Sequence, residues 1–590
     1  MSKLWALVAL SAYLTSAILV ERVEDLPPLD YDFIVVGGGT AGNVIANRLS
    51  ENSNHTVLLL EGGGSHKGVQ DIQVPFFCPG LTPYTAWDWN FTTVPQTALG
   101  GRTVPFQRGY VLGGSSSVNY MAYTRGSSED YDRFARVTGE SGWSWSNVMQ
   151  YLKRNERFIP PQDSHNITGQ FDPSVHGYRG MTAVSLPGYS MPTDNMALQV
   201  TKELPEEFPY NQDINSGNPI GLGWAPSTIN QGERDSSATS YLADEYIRRP
   251  NLHVLLHAHV LRLHQTGSAN VQKPSFRTVE FSNGDKSLQR LFTAKKEVIL
   301  SAGPVGSPVI LMHSGIGDAK DLSRIGIKPI VDLPSVGRNL SDHPLVMNVW
   351  PVNTTDTIET INRDPVIAAK ALSEWQTSRT GPLVDIVFNQ LGWLRVKNGE
   401  KVFKQYGDPA SGPSAPHFEF SIQNGLPGKT PPAGNHFVIS TVVVAPTARG
   451  SITLNSSNPF DAPAINPRYL DSELDMFIMR EAVRTAQRFV EAPVFKGYLD
   501  AELYKGRTDE ELNEFIQENS SNLHHPVGTA AMSARNAGFG VVDPDLRVKG
   551  VSGVRVIDSS VFPFILSAHT MSATYVFGER GADLIKQSWA

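Results

Sequence analysis

Apolar residues along this chain fall into three patterns, and each predicts a different element. Short unbroken runs come first: Phe33 to Val36, Val57 to Leu60 and Val298 to Leu300. Runs of that length without polar alternation suit strands buried on both faces of a parallel sheet. Alternating runs form the second kind. "HFEFSIQ" (His417 to Gln423), "HFVISTVVVAP" (His436 to Pro446) and "RGSITLNSS" read as strands with two unlike faces. Helix-compatible spacing is the third kind. It follows the first strand at Val44, Ile45 and Leu49, and recurs over Leu474 to Val490 and Asp509 to Glu518. A last helix is predicted from about Thr570, with Ala573, Phe577, Leu584 and Ile585 turned inward. The order predicts an α/β (α+β composite) protein. A Rossmann-like nucleotide-binding part comes first, and a second part carries a mixed or antiparallel sheet with helices outside it.

Length and charge narrow this picture. A chain of 590 residues exceeds one ordinary core, so two parts or one large composite unit are expected. The apolar fraction of 40% excludes a disordered chain. Net charge is −8 with no long basic run, which leaves no footprint for nucleic acid. A single cysteine, Cys78, excludes an intrachain disulfide and a multi-cysteine metal cluster, and reads as a small buried apolar residue. No metal site is expected, because the histidines lack companion cysteines or a helical His-x-x-x-His spacing.

The N-terminus places Lys3 before an apolar run and small residues at Thr15, Ser16 and Ala17. That is the layout of a secretory signal over residues 1–17, cleaved near Ala17. The run continues to Val20, which leaves an uncleaved anchor as the alternative, but it is short and interrupted for a spanning helix. Asn-X-Ser/Thr triplets at Asn54, Asn90, Asn166, Asn339, Asn353, Asn455 and Asn519 agree with secretion. A secreted, extracellular glycoprotein without a stable membrane span, acting as a monomer, is the expectation.

Candidate chemistry begins at Gly37, Gly39 and Gly42, a G-x-G-x-x-G between the first strand and the first helix. Glu61 ends the second strand, nineteen residues after Gly42. Such glycines let a backbone approach a pyrophosphate at a helix N-terminus, and the acid meets a ribose hydroxyl. The pattern does not choose between FAD and NAD. Two further stretches bear on that choice. "RGYVLGGSSSVNYMAYTRG" holds Gly113, Gly114, Ser115 and Asn119, too glycine- and serine-rich for a helix interior and suited to a loop against a flat ligand. "EVILSAGPVGSPVILMHSGIG" turns at Ala302-Gly303, and Ser307-Pro308 is expected to open a helix. A paired histidine, His524-His525, stands before Pro526, which biases His525 toward extended backbone on a loop.

Taken together, these stretches resemble the glucose-methanol-choline (GMC) family of flavin oxidoreductases from about Tyr31 to Ile585. Within the family the likeness is to the fungal aryl-alcohol oxidase and pyranose dehydrogenase group, through "DWNFTTVPQ", "GGSSSVNYM", "TSYL", "RPNLHVL" and "SVGRNLSDH". The resemblance implies an FAD-binding region over 31–345, a substrate-side segment over 346–445 and a C-terminal region over 446–581. It implies that Asp558, in "GVVDPDLRVKGVSGVRVIDSSVFP", approaches the FAD. Val260 completes the cofactor-facing candidates. Non-covalent FAD is expected, because Val118 holds the position of the histidine that tethers the flavin in pyranose dehydrogenases. His525 matches the histidine that faces the flavin, and His569 in "LSAHTMSATY" matches the second catalytic position. His524 stands where aryl-alcohol oxidases carry Phe, and Leu99 where they carry an aromatic lid, so both are assigned to the substrate pocket. Tyr110, Met571 and Ala573 also depart from the family pattern. The Pro/Gly-rich loop from Gly425 to Asn435 is placed beside the substrate entrance.

The activity this implies is oxidation of a primary aryl or allylic alcohol to the aldehyde. His525 acts as base, His569 holds the oxygen, and O2 or a quinone is the final electron acceptor. Alternatives are a pyranose dehydrogenase, an alcohol dehydrogenase of secondary metabolism, and a hydroxynitrile lyase in which FAD is structural.

Overall fold

The computed structural model describes residues 18–267, 273–397, 400–428, 431–502 and 504–590. The expected leader and its cleavage point at Ala17 lie outside these residues, but the tail of the apolar run does not. Ile18–Val20 is a short strand that pairs in parallel with Leu252–Leu255. Among the described residues no helix is long and apolar enough to cross a membrane.

Two sheets organise the chain. The first is six-stranded and parallel, in the spatial order Ile18–Val20, Leu252–Leu255, Val57–Leu60, Phe33–Val36, Glu297–Leu300, Val554–Val556. Its central strands are buried throughout, as their unbroken apolar runs require. Helix Thr40–Ser50 leaves the Phe33–Val36 strand and lies against the C-terminal helix Met571–Ser588. These helices touch closely at Gly578, where an added Cβ would come within 2.9 Å of Val44. Arg48 and Glu579 join the same two helices in a buried ion pair at 2.8 Å.

The second sheet also has six strands: Ser520–Asn522, Pro344–Pro351, His436–Val443, Phe418–Gln423, Phe388–Leu394 and Gly221–Trp224. Every pairing is antiparallel, so the sheet is antiparallel throughout rather than mixed. Nor is it confined to residues 346–445, since its two edge strands come from residues 221–224 and 520–522. Phe420 on one face packs with Phe489 of helix Glu473–Val490. Leu345, Met347, Ser421, Gln423 and Ser440 on the other face look into a cavity between the two sheets. A separate three-stranded antiparallel sheet, Ala258–Thr266, Ser275–Asn283 and Asp285–Thr293, precedes strand Glu297–Leu300.

One local expectation is corrected and another is made specific. The helix expected to open at Ser307-Pro308 begins at Gly303 and runs to His313, with Pro304 in its first turn and Pro308 inside it. Pro308 has no N–H to give the carbonyl of Pro304. That carbonyl accepts from the Thr529 hydroxyl instead, at 2.7 Å, which lets the helix tolerate the proline. The serine-rich stretch after Gly113 is a 3₁₀ turn, Gly114–Ser117, entered by left-handed backbone at Gly113 (φ 98°) and Gly114 (φ 54°).

Gly42 shows how tightly the first strand–helix turn is closed. A Cβ there would stand 1.9 Å from the Gly37 carbonyl oxygen. Gly42→Ala is therefore expected to cost about 1–3 kcal/mol or more of stability, as overpacking does. A thermal melt that matches the parent protein would set this packing argument aside.

Candidate active site

A cavity of about 570 Å³ lies between the sheets and holds most of the residues singled out by sequence. Gly37, Gly39, Glu61, Gly114, Ser115, Asn119, Val260 and Asp558 line it, and so do His524, His525 and His569. Gly42, Gly113 and Leu99 do not. The two glycines shape the wall from behind, since Gly113 donates to the Gly38 carbonyl at 2.7 Å. Leu99 is fully buried in the main core, on the short turn Thr97–Leu99, so it is no lid over the pocket. The likeness to aryl-alcohol oxidases had suggested a lid position, but an apolar side chain with core within reach turns inward. Phe91 and Trp89 are the aromatic residues of that region that reach the cavity.

The cofactor end is built from turns that only small residues can make. Gly37 has φ 97°, and a Cβ on it would meet the Ser301 carbonyl oxygen at 2.5 Å. A Cβ on Gly114 would sit 2.8 Å from the Gly39 Cα. Gly39 and Thr40 therefore bring the open N-terminus of helix Thr40–Ser50 to the cavity wall, with no side chain over it. This fits a pyrophosphate. Glu61 receives the Gly38 and Gly63 amides at 2.8 and 2.7 Å. Burial still pushes its carboxyl up to about 7, with those two amides opposing the rise. Asp558 accepts from the Gly303 amide at 3.0 Å and from Ser307 Oγ at 2.6 Å, at the start of helix Gly303–His313. Asn119 accepts from Arg234 at 2.9 Å, and Ser115 Oγ accepts from the Gly109 amide at 3.2 Å. These residues fit a dinucleotide.

At the other end stand the histidines. Strand Ser520–Asn522 pairs with Pro344–Val346, and the pairing continues along the loop through Leu523 N to His343 O and a Ser341–Val527 bridge. His524 takes left-handed backbone at φ 60°, which a residue with a Cβ adopts only when its surroundings impose it. Two contacts impose it. Arg108 donates to the His524 carbonyl, and the His525 amide donates to Asp342 Oδ1 at 2.7 Å. The same carboxylate oxygen accepts from the His343 amide at 2.8 Å, and its partner oxygen accepts from the Tyr469 hydroxyl. Burial drives the Asp342 carboxyl up to about 6, against the pull of Tyr469 and Arg108.

The His525 and His569 rings lie 4.8 Å apart, centroid to centroid. Thr124 Oγ1 accepts from the His569 amide at 2.8 Å, and His569 Nε2 meets Glu419 Oε1 at 2.8 Å. His525 Nδ1 lies 3.1 Å from His343 Nδ1. The surface His525 keeps is turned to the cavity, and protein encloses the rest of the ring. That enclosure, followed by the charges His569, His343, His524 and Arg108 would bring, holds its pKa well below the usual imidazole value. Burial and then Arg108 push His524 down to about 3, and its Nδ1 is buried without a partner. His524 and His525 are therefore neutral near neutral pH and can accept a proton there.

Glu419, His343, Asp342 and Arg108 are site residues that sequence reasoning missed. A signal for Glu419 was present. In strand Phe418–Gln423 the alternate residues Glu419, Ser421 and Gln423 are polar, yet every residue of the strand is buried. A polar face that never reaches solvent faces a site. Gln423 Nε2 donates to Ser421 Oγ at 3.0 Å and to Ser440 Oγ at 3.3 Å, which makes a hydrogen-bonding floor beneath the histidines.

Known proteins resemble this chain over almost its whole length. Its residues 31–345 and 446–578 match the two models of the GMC oxidoreductase family. Dehydrogenase eriK of Hericium erinaceus is 40% identical, with 97% of each chain covered. Pyranose dehydrogenase 3 of Leucoagaricus meleagris is 40% identical, covering 97% of this chain and 96% of that one. Among solved structures, a formate oxidase superposes with a TM-score of 0.85 at 29% identity, over 95% of this chain and 98% of the other. A fungal aryl-alcohol oxidase does so with 0.82 at 25% identity, over 95% and 99%. The glycine cradle, the paired sheets and these matches lead to one conclusion: the chain belongs to the GMC oxidoreductase family, as an FAD-binding oxidoreductase acting on CH–OH groups.

Proposed function

We propose that this protein is a dehydrogenase of a ring alcohol bearing several hydroxyls, of the pyranose type, and that it oxidises one CH–OH to a carbonyl. The observation that carries this reading is the buried polar floor of Ser421, Gln423 and Ser440 below His525 and His569. Gln423 Nε2 is shared with Ser421 and Ser440, and the two serine hydroxyls keep spare donor and acceptor capacity that sugar hydroxyls can use and an aromatic ring cannot. The pyranose dehydrogenases among the relatives support it. Phe91, Tyr120 and Phe388 also line the cavity, and they support the second reading, an aryl or allylic alcohol.

FAD, when bound, supplies the acceptor for the carbon-bound hydride. The protein's own groups manage the proton. His525 takes the hydroxyl proton, the electron pair stays on oxygen, and His569 donates to that oxygen from Nδ1, while a second proton is shared between its Nε2 and Glu419 Oε1. Val118 carries no nucleophilic atom, which supports non-covalent FAD. A quinone is the proposed electron acceptor, in line with the dehydrogenases among the relatives. The protein is proposed to be a secreted monomer.

Anaerobic mixing with a panel of pyranose monosaccharides and of benzylic and allylic alcohols tests the substrate class. Sugars are expected to reduce the flavin with the higher second-order rate constant, and benzoquinone to reoxidise it faster than O2. A benzylic alcohol that outpaces every sugar tenfold would replace the first reading by the second.

His525→Ala is expected to slow flavin reduction at least about a hundredfold while FAD stays bound, the scale of general-base catalysis. The base is active when neutral. Its pKa lies well below the ordinary 6.5, so the parent rate should stay level as pH falls through 6.5 and drop only well below it. A rate that halves near pH 6.5 would mean a solvated histidine is the base.

Secretion makes its own prediction. Asn54, Asn166 and Asn353 are exposed. Asn339 is half-buried, and its amide donates to the Pro563 carbonyl at 3.2 Å. Peptide mapping of protein from a secreting host should find glycan on the first three and none on Asn339.

A further inference from the structure

A third imidazole contacts the catalytic pair from behind. His343 is fully buried, its ring centroid lies 5.3 Å from that of His525 at 83°, and the two Nδ1 atoms are 3.1 Å apart. That distance is a hydrogen bond, so one nitrogen carries a proton and the other a lone pair. The backbone does not let the rings drift. Asp342 Oδ1 receives the amides of both residues, and Leu523 N donates to His343 O at 2.9 Å.

We infer that His343 is the positioning residue that sets the tautomer of His525. It accepts the His525 Nδ1 proton and so leaves the His525 Nε2 lone pair facing the cavity, where the alcohol proton must go. The opposite arrangement would put the His525 proton on Nε2 and leave no base at the substrate. His343 itself favours the assigned role. Burial lowers its pKa to about 3, so the ring is neutral. A neutral imidazole has one lone pair, and with Nε2 buried without a hydrogen-bond partner the 3.1 Å contact to His525 Nδ1 is where that lone pair is used. When His525 takes the proton from the alcohol oxygen, the resulting imidazolium keeps its Nδ1–H bond to His343. The positive charge is then partly shared with a neighbour that no water reaches. This inference rests on His525 being the base proposed above.

The test has two arms on the FAD-loaded protein. In the first, histidine is labelled with ¹⁵N, and the ring lost in His525→Ala identifies the His525 signals. Long-range nitrogen–proton correlations are expected to show the proton on Nδ1 and a bare Nε2. A proton on Nε2 of the His525 ring overturns the inference, whatever the activity. In the second arm, His343→Leu, which fills the space without an acceptor, should slow flavin reduction by about 10–100-fold, the usual cost of losing a partner that orients an imidazole. His343→Gln, whose side-chain oxygen can accept the same proton, should recover to within a few-fold of the parent. Equal rates for the Leu variant and the parent would also overturn the inference. Should His525→Ala keep the parent rate, the proposed base is wrong, yet the correlation spectrum still decides the tautomer.

Discussion

The histidine end of the cavity depends on one buried carboxylate. Asp342 takes the backbone amides of His343 and His525 on a single oxygen, while its other oxygen takes the Tyr469 hydroxyl, which in turn accepts from Asn522 at 2.7 Å. Hydrogen bonds to a charged acceptor contribute about 1.5–3 kcal/mol each. Burial nevertheless outweighs them, since the carboxyl is pushed up rather than down. The group therefore serves geometry more than stability. It holds two loops 182 residues apart in sequence so that their imidazoles meet, and with Arg108 it keeps His524 in left-handed backbone.

That pin matters because the site belongs to neither sheet alone. The parallel sheet supplies the glycine turns, Glu61 and the strand leading to Asp558. The antiparallel sheet supplies the floor, Glu419 and, through its edge strand, the His525 loop. His569 precedes the C-terminal helix, which packs on the first helix of the nucleotide-binding turn. The His525 and His569 imidazoles are thus carried to a dinucleotide cradle whose first turn comes from the opposite end of the chain. The low pKa values follow from the same enclosure. Packing protein around several imidazoles and one guanidinium keeps the imidazoles neutral and ready to accept a proton.

The substrate side follows a different logic. The buried polar residues of strand Phe418–Gln423 would be a liability in an ordinary core. Here Glu419 braces His569, and Ser421 and Gln423 engage each other at the cavity. Their arrangement suits a ligand that brings its own hydroxyls. The aromatic residues around it limit the shape of that ligand more than its polarity.

Much of this was legible in the sequence. Unbroken apolar runs at Phe33–Val36 and Val57–Leu60, the glycines between them and Glu61 after them determine a local turn, and local turns are set by local residues. The histidine before Pro526 and the start of the last helix were readable for the same reason. Leu99 and Pro308 were misread because their neighbours in space, the main core and Thr529, lie far away in the chain. Glu419, Asp342, His343 and Arg108 were passed over although they lie in or beside noticed stretches. A carboxylate or imidazole has no role until its partner is known, and those partners are 127 to 416 residues distant. The sequence by itself determined the elements and the dinucleotide turn, and it singled out the two histidines proposed to handle the proton. Only the tertiary structure decided which nitrogen meets which partner, because hydrogen-bond geometry between distant segments depends on how two sheets close on one cavity.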